Sequence, residues 1–158
     1  MVFFKLSEAE ITEYIYIPEQ KGLLVEFIEY EEMFVNSKPK WRYKLKVLDE
    51  REDGKYKDLH LSAGVFATEN NVKEVKQMLR ALGLESEIDR VVAGSEPVGG
   101  TVLVDTVVQD INWQEVTPEE RESDPDGRYF SHVKFMSWRA FNPNTNTTET
   151  AKPKKAAF

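Results

Sequence analysis

A strict alternation of apolar and polar residues runs from Lys40 to Val47 and predicts a β-strand. The apolar face carries Trp41, Tyr43, Leu45 and Val47. The opposite face carries four cations: Lys40, Arg42, Lys44 and Lys46. Because a polar turn over residues 49–54 separates this strand from a second β-rich stretch, Lys55 to Leu61, the two are expected to form a hairpin.

Three further segments have the pattern of strands. The segment from Leu23 to Val35 is rich in β-forming residues, but its alternation slips near Glu29, which predicts a bend or bulge. A Val-rich strand is expected over Thr101 to Ile111, and the last strand over Arg128 to Trp138, whose tryptophan is expected in the core.

One helix is expected over Asn71 to Leu82. Its apolar residues recur at helical spacing and form one stripe: Val72, Val75, Met78, Leu79 and Leu82. Asn71 and Glu74 have the spacing of a capping box, and Gly83 stands where a glycine commonly ends a helix.

The order of these elements predicts a mainly β fold. Three strands, one helix and two strands is the order of the OB-fold, a five-stranded Greek-key barrel with one helix between the third and fourth strands. An antiparallel sheet with one packed helix has the same order. The predicted domain covers residues 1–141, with an N-terminal extension over 1–21 and an acidic loop over 114–127. Residues 142–158 are polar and aperiodic, and we expect a disordered basic tail there.

Composition limits the classes of function that the protein can have. The 158 residues suit one domain, and 28 acidic against 21 basic residues give a net charge of −7. Nucleic-acid binding would therefore need a local positive patch rather than bulk charge. The chain has no cysteine, which excludes disulfides, thiol catalysis and Cys-ligated zinc. Its short apolar runs predict no membrane helix, and we expect a cytoplasmic protein.

The motifs of enzymes and metal sites are incomplete. His60 and His132 stand alone on separate strands, without ligand spacing. The segment 94–101 resembles a phosphate-binding loop, but Gly100 replaces the lysine and a strand follows. The segment 122–127 begins like a calcium loop, but Val133 stands where the bidentate glutamate belongs. We therefore expect no enzyme, cofactor or metal; a hydrolase would require two carboxylates that converge in a pocket.

The hairpin carries the strongest functional pattern. Its cations are spaced by about 6.5–7 Å along the strand, which is similar to the phosphate spacing of a stretched single strand. If Leu59 and Leu61 face inward, Tyr56 and His60 face outward beside the cations, where single-strand binders place stacking groups. The predicted nucleic-acid-binding residues are Lys40, Arg42, Lys44, Lys46, Lys55, Tyr56, Lys57 and His60, with Tyr30 as a further stacking candidate. The alternative is a solvated face with edge-guarding lysines beside the acidic run Glu29, Glu31 and Glu32.

Three short motifs carry a family resemblance. They are Leu45-Lys46-Val47-Leu48-Asp49, Gly54-Lys55-Tyr56-Lys57 and Leu79-Arg80-Ala81-Leu82-Gly83. On these motifs, residues 20–141 resemble the small single-stranded-DNA-binding proteins of bacteriophages. The resemblance implies an OB-fold, sequence-independent binding of single-stranded DNA, and a role in phage or mobile-element replication or recombination, with proteins of those processes as partners. The alternative is an OB-type interaction module that recruits replication partners without contacting DNA.

Overall fold

The computed structural model describes residues 16–84 and 91–141, and a six-stranded mixed sheet forms the centre of this part of the chain. The strands are β1 Leu23–Val35, β2 Lys38–Val47, β3 His60–Phe66, β4 Thr101–Val104, β5 Thr106–Asp110 and β6 Tyr129–Val133. The helices are α1 Arg51–Gly54, α2 Val72–Ala81 and α3 Pro118–Ser123, with a 3-10 turn over Glu69–Asn71. The predicted tail and the first fifteen residues of the N-terminal extension lie outside the described residues.

The strand order across the sheet is β4-β1-β2-β3-β6-β5. Neighbouring strands are antiparallel except β3 and β6, which run parallel. The mainly β fold with few helices is confirmed. The predicted fourth strand is divided into β4 and β5 at Asp105, so the described residues form six strands in an open sheet where a closed five-stranded barrel was expected.

Asp105 divides the strand, and its carboxylate accepts hydrogen bonds from two other parts of the chain. One carboxylate oxygen, Oδ1, accepts hydrogen bonds from the backbone N–H of Gly22 at 3.0 Å and from Nη2 of Arg139 at 2.8 Å. Burial alone would raise the pKa of Asp105, but these hydrogen bonds hold it below its usual value. The two halves of the strand consequently lie at opposite edges of the sheet, β4 beside β1 and β5 beside β6.

The predicted bulge in the first strand is confirmed. The register of β1 against β2 shifts between Phe27 and Glu29. Phe27 lies opposite Leu45 before the shift, and Tyr30 lies opposite Tyr43 after it, so rings on both sides of the bulge face the core. The extra residue also keeps Glu29 on the outer face.

The inner face of the sheet forms the main hydrophobic core. Its largest fully buried side chains from the sheet are Leu23, Val25, Phe27, Tyr43, Leu45, Val47, Val65, Val102 and Val104. Trp138 is buried as predicted, with its ring stacked 5.5 Å from that of Phe27. Tyr43, Leu45 and Val47 also face inward as the alternation predicted, whereas Trp41 is half-buried and packs on the margin of the core.

The predicted helix is confirmed as α2, and Gly83 follows its C-cap residue Leu82 as expected, with a φ of +73° that favours glycine. The predicted capping box is not formed. The Asn71 side chain instead donates to the Phe66 carbonyl at 2.9 Å and to Oε1 of Glu74 at 3.0 Å. Glu74 is buried because it also accepts from Nε1 of Trp138 at 3.2 Å, which ties the helix to the segment after β6.

The second strand of the hairpin begins at His60 and not at Lys55. Glu52, Asp53 and Asp58 have positive φ, so the chain turns back over residues 51–58 where a strand was expected. This turn directs the ring of Tyr56 into the core, where it is 6% exposed. The prediction that Tyr56 faces outward is therefore wrong.

The last predicted strand is also shorter, because β6 ends at Val133. The segment after it turns at Met136, whose φ is +61°, and Ser137 fixes the turn by donating its hydroxyl to the Lys134 carbonyl at 2.7 Å. The chain then meets β4, where Arg139 and Leu103 exchange backbone hydrogen bonds.

The acidic segment 114–127 contains α3 and is more ordered than a loop. Thr117 and Glu120 form a capping box at its start. Arg121 is buried and donates to both carboxylate oxygens of Glu19 at 2.8 Å, with its guanidinium over the ring of Tyr16. The helix thus fastens the described end of the N-terminal extension to the sheet.

Candidate nucleic-acid interface

The outer face of the sheet carries a groove whose floor is β3. In the register of β2 against β3, Arg42 lies opposite Gly64 and Lys44 lies opposite Ser62. The two central outward residues of β3 are therefore small, whereas their neighbours on β2 are long cations. His60 and Phe66 stand at the two ends of this low floor, opposite Lys46 and Lys40. The first wall of the groove is the cationic row of β2.

The second wall is aromatic. Phe130 and His132 project outward from β6 because they alternate with the buried residues Tyr129, Ser131 and Val133. Trp113 follows β5, and its ring meets Phe130 edge to face at 4.9 Å and His132 at 6.3 Å. The indole is half-exposed, so one part is held by these rings and the rest is open to solvent.

A tight turn holds Trp113 in this position. The Asp110 carboxylate accepts from the backbone N–H of Asn112 at 2.9 Å and of Gln114 at 3.1 Å. The Trp113 N–H donates to the Asp110 carbonyl at 2.9 Å, and Trp113 itself has a φ of +65°. Because the backbone is fixed at several points, the ring is presented by a defined turn rather than by a loose loop.

Two cations of β2 reach across the floor to the aromatic wall. The Arg42 guanidinium carbon lies 5.5 Å from the centre of the Trp113 ring, and Lys40 Nζ lies 5.1 Å from Phe66 and 6.0 Å from Trp113. Gly64 makes this crossing possible: a Cβ there would lie within 3 Å of the Lys40 side chain. The missing side chain in β3 thus lets both walls meet.

The contact between Arg42 and Trp113 divides the groove into two compartments. The larger has a volume of about 530 Å³ and includes Lys44, His60 and Phe130 in its lining. The smaller has a volume of about 280 Å³ and includes Lys40 and His132. Arg42, Ser62 and Trp113 line both compartments, so the guanidinium–indole pair forms a bridge over Ser62.

The lining of the larger compartment includes two carboxylates. Glu29 and Glu31 both line it from β1, where they lie directly opposite Lys44 and Arg42. The Lys44 ammonium and the Glu29 carboxylate form an exposed ion pair at 3.6 Å. Glu26 likewise lies opposite Lys46, whereas the neighbour of Lys40 in β1 is Met33. Lys40 is therefore the β2 cation of this row without a carboxylate opposite it in β1.

Burial and charge shape the titration of the groove. Burial, reinforced by the Arg42 charge, lowers the pKa of Lys40 below its usual value. Burial also lowers the pKa of His132, and the charges of Lys40 and Arg42 lower it further, although its bond to a backbone carbonyl opposes this. The His132 Nδ1 lies 2.8 Å from the Val133 carbonyl oxygen, so the neutral ring carries its proton on Nδ1 and leaves Nε2 as an acceptor.

The structure brings together five of the eight residues that the sequence nominated. Lys40, Arg42, Lys44, Lys46 and His60 share the outer face along β2 and β3.

The other nominated residues lie elsewhere. Lys55 and Lys57 are exposed in the turn before β3, where Lys57 pairs with Glu50 at 3.7 Å, and Tyr56 between them is buried. The Tyr30 ring packs against the core, 5.7 Å from that of Tyr43, and Tyr30 also lines the larger compartment.

The aromatic wall was missed at the sequence level. Phe130 and His132 belong to the outward face of a strand whose alternation is readable, but nothing local connects them with β2. Trp113 left one signal in the sequence: it stands in the polar turn Asp110-Ile-Asn-Trp-Gln, where a large ring has no route into the core. An aromatic residue in such a turn indicates a surface role.

No protein-family model and no curated protein matches this chain. Within residues 16–84 and 91–141, no helix has the length and apolarity needed to cross a bilayer. The same residues contain no group of three or more His, Asp or Glu side chains placed to hold a metal ion. The chemistry of the groove is therefore the basis for the functional proposal.

Proposed function

We propose that this protein binds single-stranded DNA without sequence preference and that the groove over β3 is its binding surface. The observation that carries the proposal is the half-exposed Trp113 ring facing the cations of β2 across a floor of Ser62 and Gly64. Cations along a groove neutralise phosphates, and an exposed ring stacks on any base because every base has a flat π face. Paired bases cannot reach such a ring.

A comparison of the sheet with the OB-fold supports this proposal. Only Asp105 separates β4 from β5, which lie at the two edges of the sheet. Counted as one bent strand, they give five strands with α2 between the third and the fourth. OB-folds bind oligonucleotides on the face of their second and third strands and with the loop before the fifth. The groove lies on β2 and β3, and Trp113 lies in the loop between β5 and β6.

An interaction module on the same scaffold is the second candidate. It is favoured by the carboxylates of β1, which lie opposite three of the four cations of β2 and make that side of the groove nearly neutral. A polar peptide of mixed charge would suit such a surface. A role in phage replication or recombination belongs to the first candidate and rests on the family resemblance.

The salt dependence of binding tests the proposal. Fluorescence anisotropy with labelled single-stranded and duplex oligonucleotides should show tighter binding of the single strand. The slope of log K against log salt is expected to be about −1.4 if Lys40 and Arg42 alone contact phosphates, and about −2.8 if all four β2 cations do. Absence of single-strand binding at low salt would exclude this function and favour the interaction module.

Matched charge variants locate the surface. Lys40→Gln with Arg42→Gln and Lys55→Gln with Lys57→Gln remove the same charge, but only the first pair lies in the groove. We expect the first double variant to lose affinity and about 1.4 of the salt slope, and the second to remain close to the wild type. Equal losses in both would show that general charge, and not the groove, determines binding.

A further inference from the structure

The contact between Arg42 and Trp113 is a closed arrangement of two groups that both stack on nucleobases. Unpaired bases stack on aromatic side chains and on the guanidinium plane of arginine. We propose that the two groups form a clamp that opens to hold one unpaired base between them. The proposal deepens the single-strand function argued above and rests on it, because it names the part of the ligand that the centre of the groove recognises.

The distance between the two groups is suited to such an opening. The guanidinium carbon lies 5.5 Å from the ring centre, which leaves no space for a third planar group. Two successive contacts of about 3.5 Å place the outer planes of a three-layer stack roughly 7 Å apart. Arg42 must therefore move by about 1.5 Å, which a long, partly exposed side chain can do by changing rotamers.

The two halves of the clamp differ in how firmly they are held. Trp113 is fixed by its turn and by the edge contact with Phe130. Arg42 has Gly64 as its neighbour on one side and Glu31 on the other, so the residue of β3 directly opposite has no side chain to limit its movement. The ring is consequently the fixed platform and the guanidinium is the moving part.

The compartments on the two sides of the bridge accommodate the neighbouring nucleotides. Each has its own cation for a phosphate, Lys44 in the larger and Lys40 in the smaller. Lys40 and Lys44 are four residues apart on β2, so their Cα atoms are separated by about 13 Å, which is close to two phosphate intervals of a stretched strand. The strand would then run along the groove with one base in the clamp and a phosphate on each side.

The test separates recognition of bases from recognition of phosphates. The probes are a labelled oligo-dT of twelve nucleotides and an abasic oligomer of the same length, which has the same phosphates and no bases. The variants are Arg42→Lys, which keeps the charge and loses the plane, and Trp113→Leu, which keeps an apolar side chain and loses the ring. Thermal unfolding of each variant checks the fold, and the partial exposure of both side chains predicts a nearly unchanged Tm.

We expect Arg42→Lys to weaken oligo-dT binding by about 2- to 30-fold, the range for a lost guanidinium–ring contact. Trp113→Leu should weaken it by about 5- to 150-fold, the range for one stacked base. Neither variant should change the affinity for the abasic oligomer. Arg42→Lys binding oligo-dT as tightly as the wild type, or an equal loss for both probes, would overturn the clamp and leave the groove function standing. A wild type that binds neither probe would overturn both.

Discussion

Single residues show that the environment, and not the ring itself, decides whether an aromatic side chain is core or surface. Tyr56 is surrounded by lysines in the sequence and is buried, whereas Trp113 follows a Val-rich strand and is half-exposed. The reason is backbone conformation: positive φ at Glu52 and Asp53 turns the chain before Tyr56, and positive φ at Asp58 turns it again before β3. Local sequence therefore misassigns Tyr56, whereas the polar turn around Trp113 agrees with the exposure of its ring.

Tyr56→Ala is expected to destabilise the protein by about 3 kcal/mol, since it removes a large ring from the core. Urea unfolding measures the loss. Lys57→Ala is the control and should have an effect below about 1 kcal/mol, because its ion pair with Glu50 is exposed. If Tyr56→Ala kept its stability but lost single-strand affinity, Tyr56 would be a stacking residue after all.

His132 is expected to make stability depend on pH between about 7.5 and 5.5. Burial and the charges of Lys40 and Arg42 lower its pKa in the folded protein, relative to 6.5 in the unfolded chain. Below 6.5 the unfolded chain takes up a proton that the folded protein resists, so stability falls as the pH falls. Comparing Tm at the two pH values should show a smaller drop in His132→Gln than in the wild type.

His60→Gln is the matched control for this measurement. His60 is exposed on the same face of the sheet, at the end of β3 opposite Lys46. The pH dependence of Tm in His60→Gln is the reference against which the change in His132→Gln is judged. The same pH dependence in His132→Gln as in the wild type would show that His132 is not the group responsible.

At the scale of elements, the groove depends on the contrast between neighbouring strands. β2 contributes long cations, β3 contributes Ser62 and Gly64 at the centre, and β6 contributes Phe130 and His132. A sheet face with large residues on all three strands would be flat. The low central strand is what allows side chains from both flanks to meet above it.

Gly64→Ala is expected to change binding more than stability. The added Cβ would meet only the far end of the flexible Lys40 side chain, which can turn away into solvent. Stability should change by less than about 1 kcal/mol, since alanine also restricts the unfolded chain. With Lys40 displaced, single-strand affinity should fall and the salt slope should decrease by about 0.7. Unfolding in urea and anisotropy at several salt concentrations measure the two effects; a large loss of stability would contradict this account.

At the scale of the whole molecule, charge is unevenly distributed. Residues 142–158 contain three lysines and one glutamate, which give a charge of +2. Because the whole chain has a net charge of −7, residues 1–141 have a net charge of −9. The positive row of β2 thus lies on a strongly acidic body. Long-range repulsion opposes an approaching polyanion, and salt screens both this repulsion and the local attraction.

Deleting residues 142–158 should leave Tm nearly unchanged, because the segment has no apolar periodicity with which to join a core. Single-strand affinity should fall modestly at low salt, since the remaining protein has a net charge of −9. The difference should shrink as salt is added. Unchanged affinity at low salt would mean that the tail has no part in binding, and a large drop in Tm would mean that it packs on the domain.

The sequence by itself determined the structure within elements. Alternation along β2 assigned its four cations to one face, the slip near Glu29 located the bulge, and the stripe of α2 located the helix. These features are predictable because side-chain direction repeats with a fixed period along a regular backbone. The mainly β fold followed from the same periods.

Only the tertiary structure decided which elements meet. The pairing of Ser62 with His132 joins β3 to β6, although the two residues are far apart in the sequence. This pairing brings Trp113 over Arg42. No local period encodes such a contact, because strand neighbours depend on long-range register. The turn that buries Tyr56 was not predicted for a related reason. Single residues with positive φ interrupt the alternation, but the sequence pattern does not give the direction that the chain takes after them. The cations were thus readable from the sequence, and their aromatic partners were not.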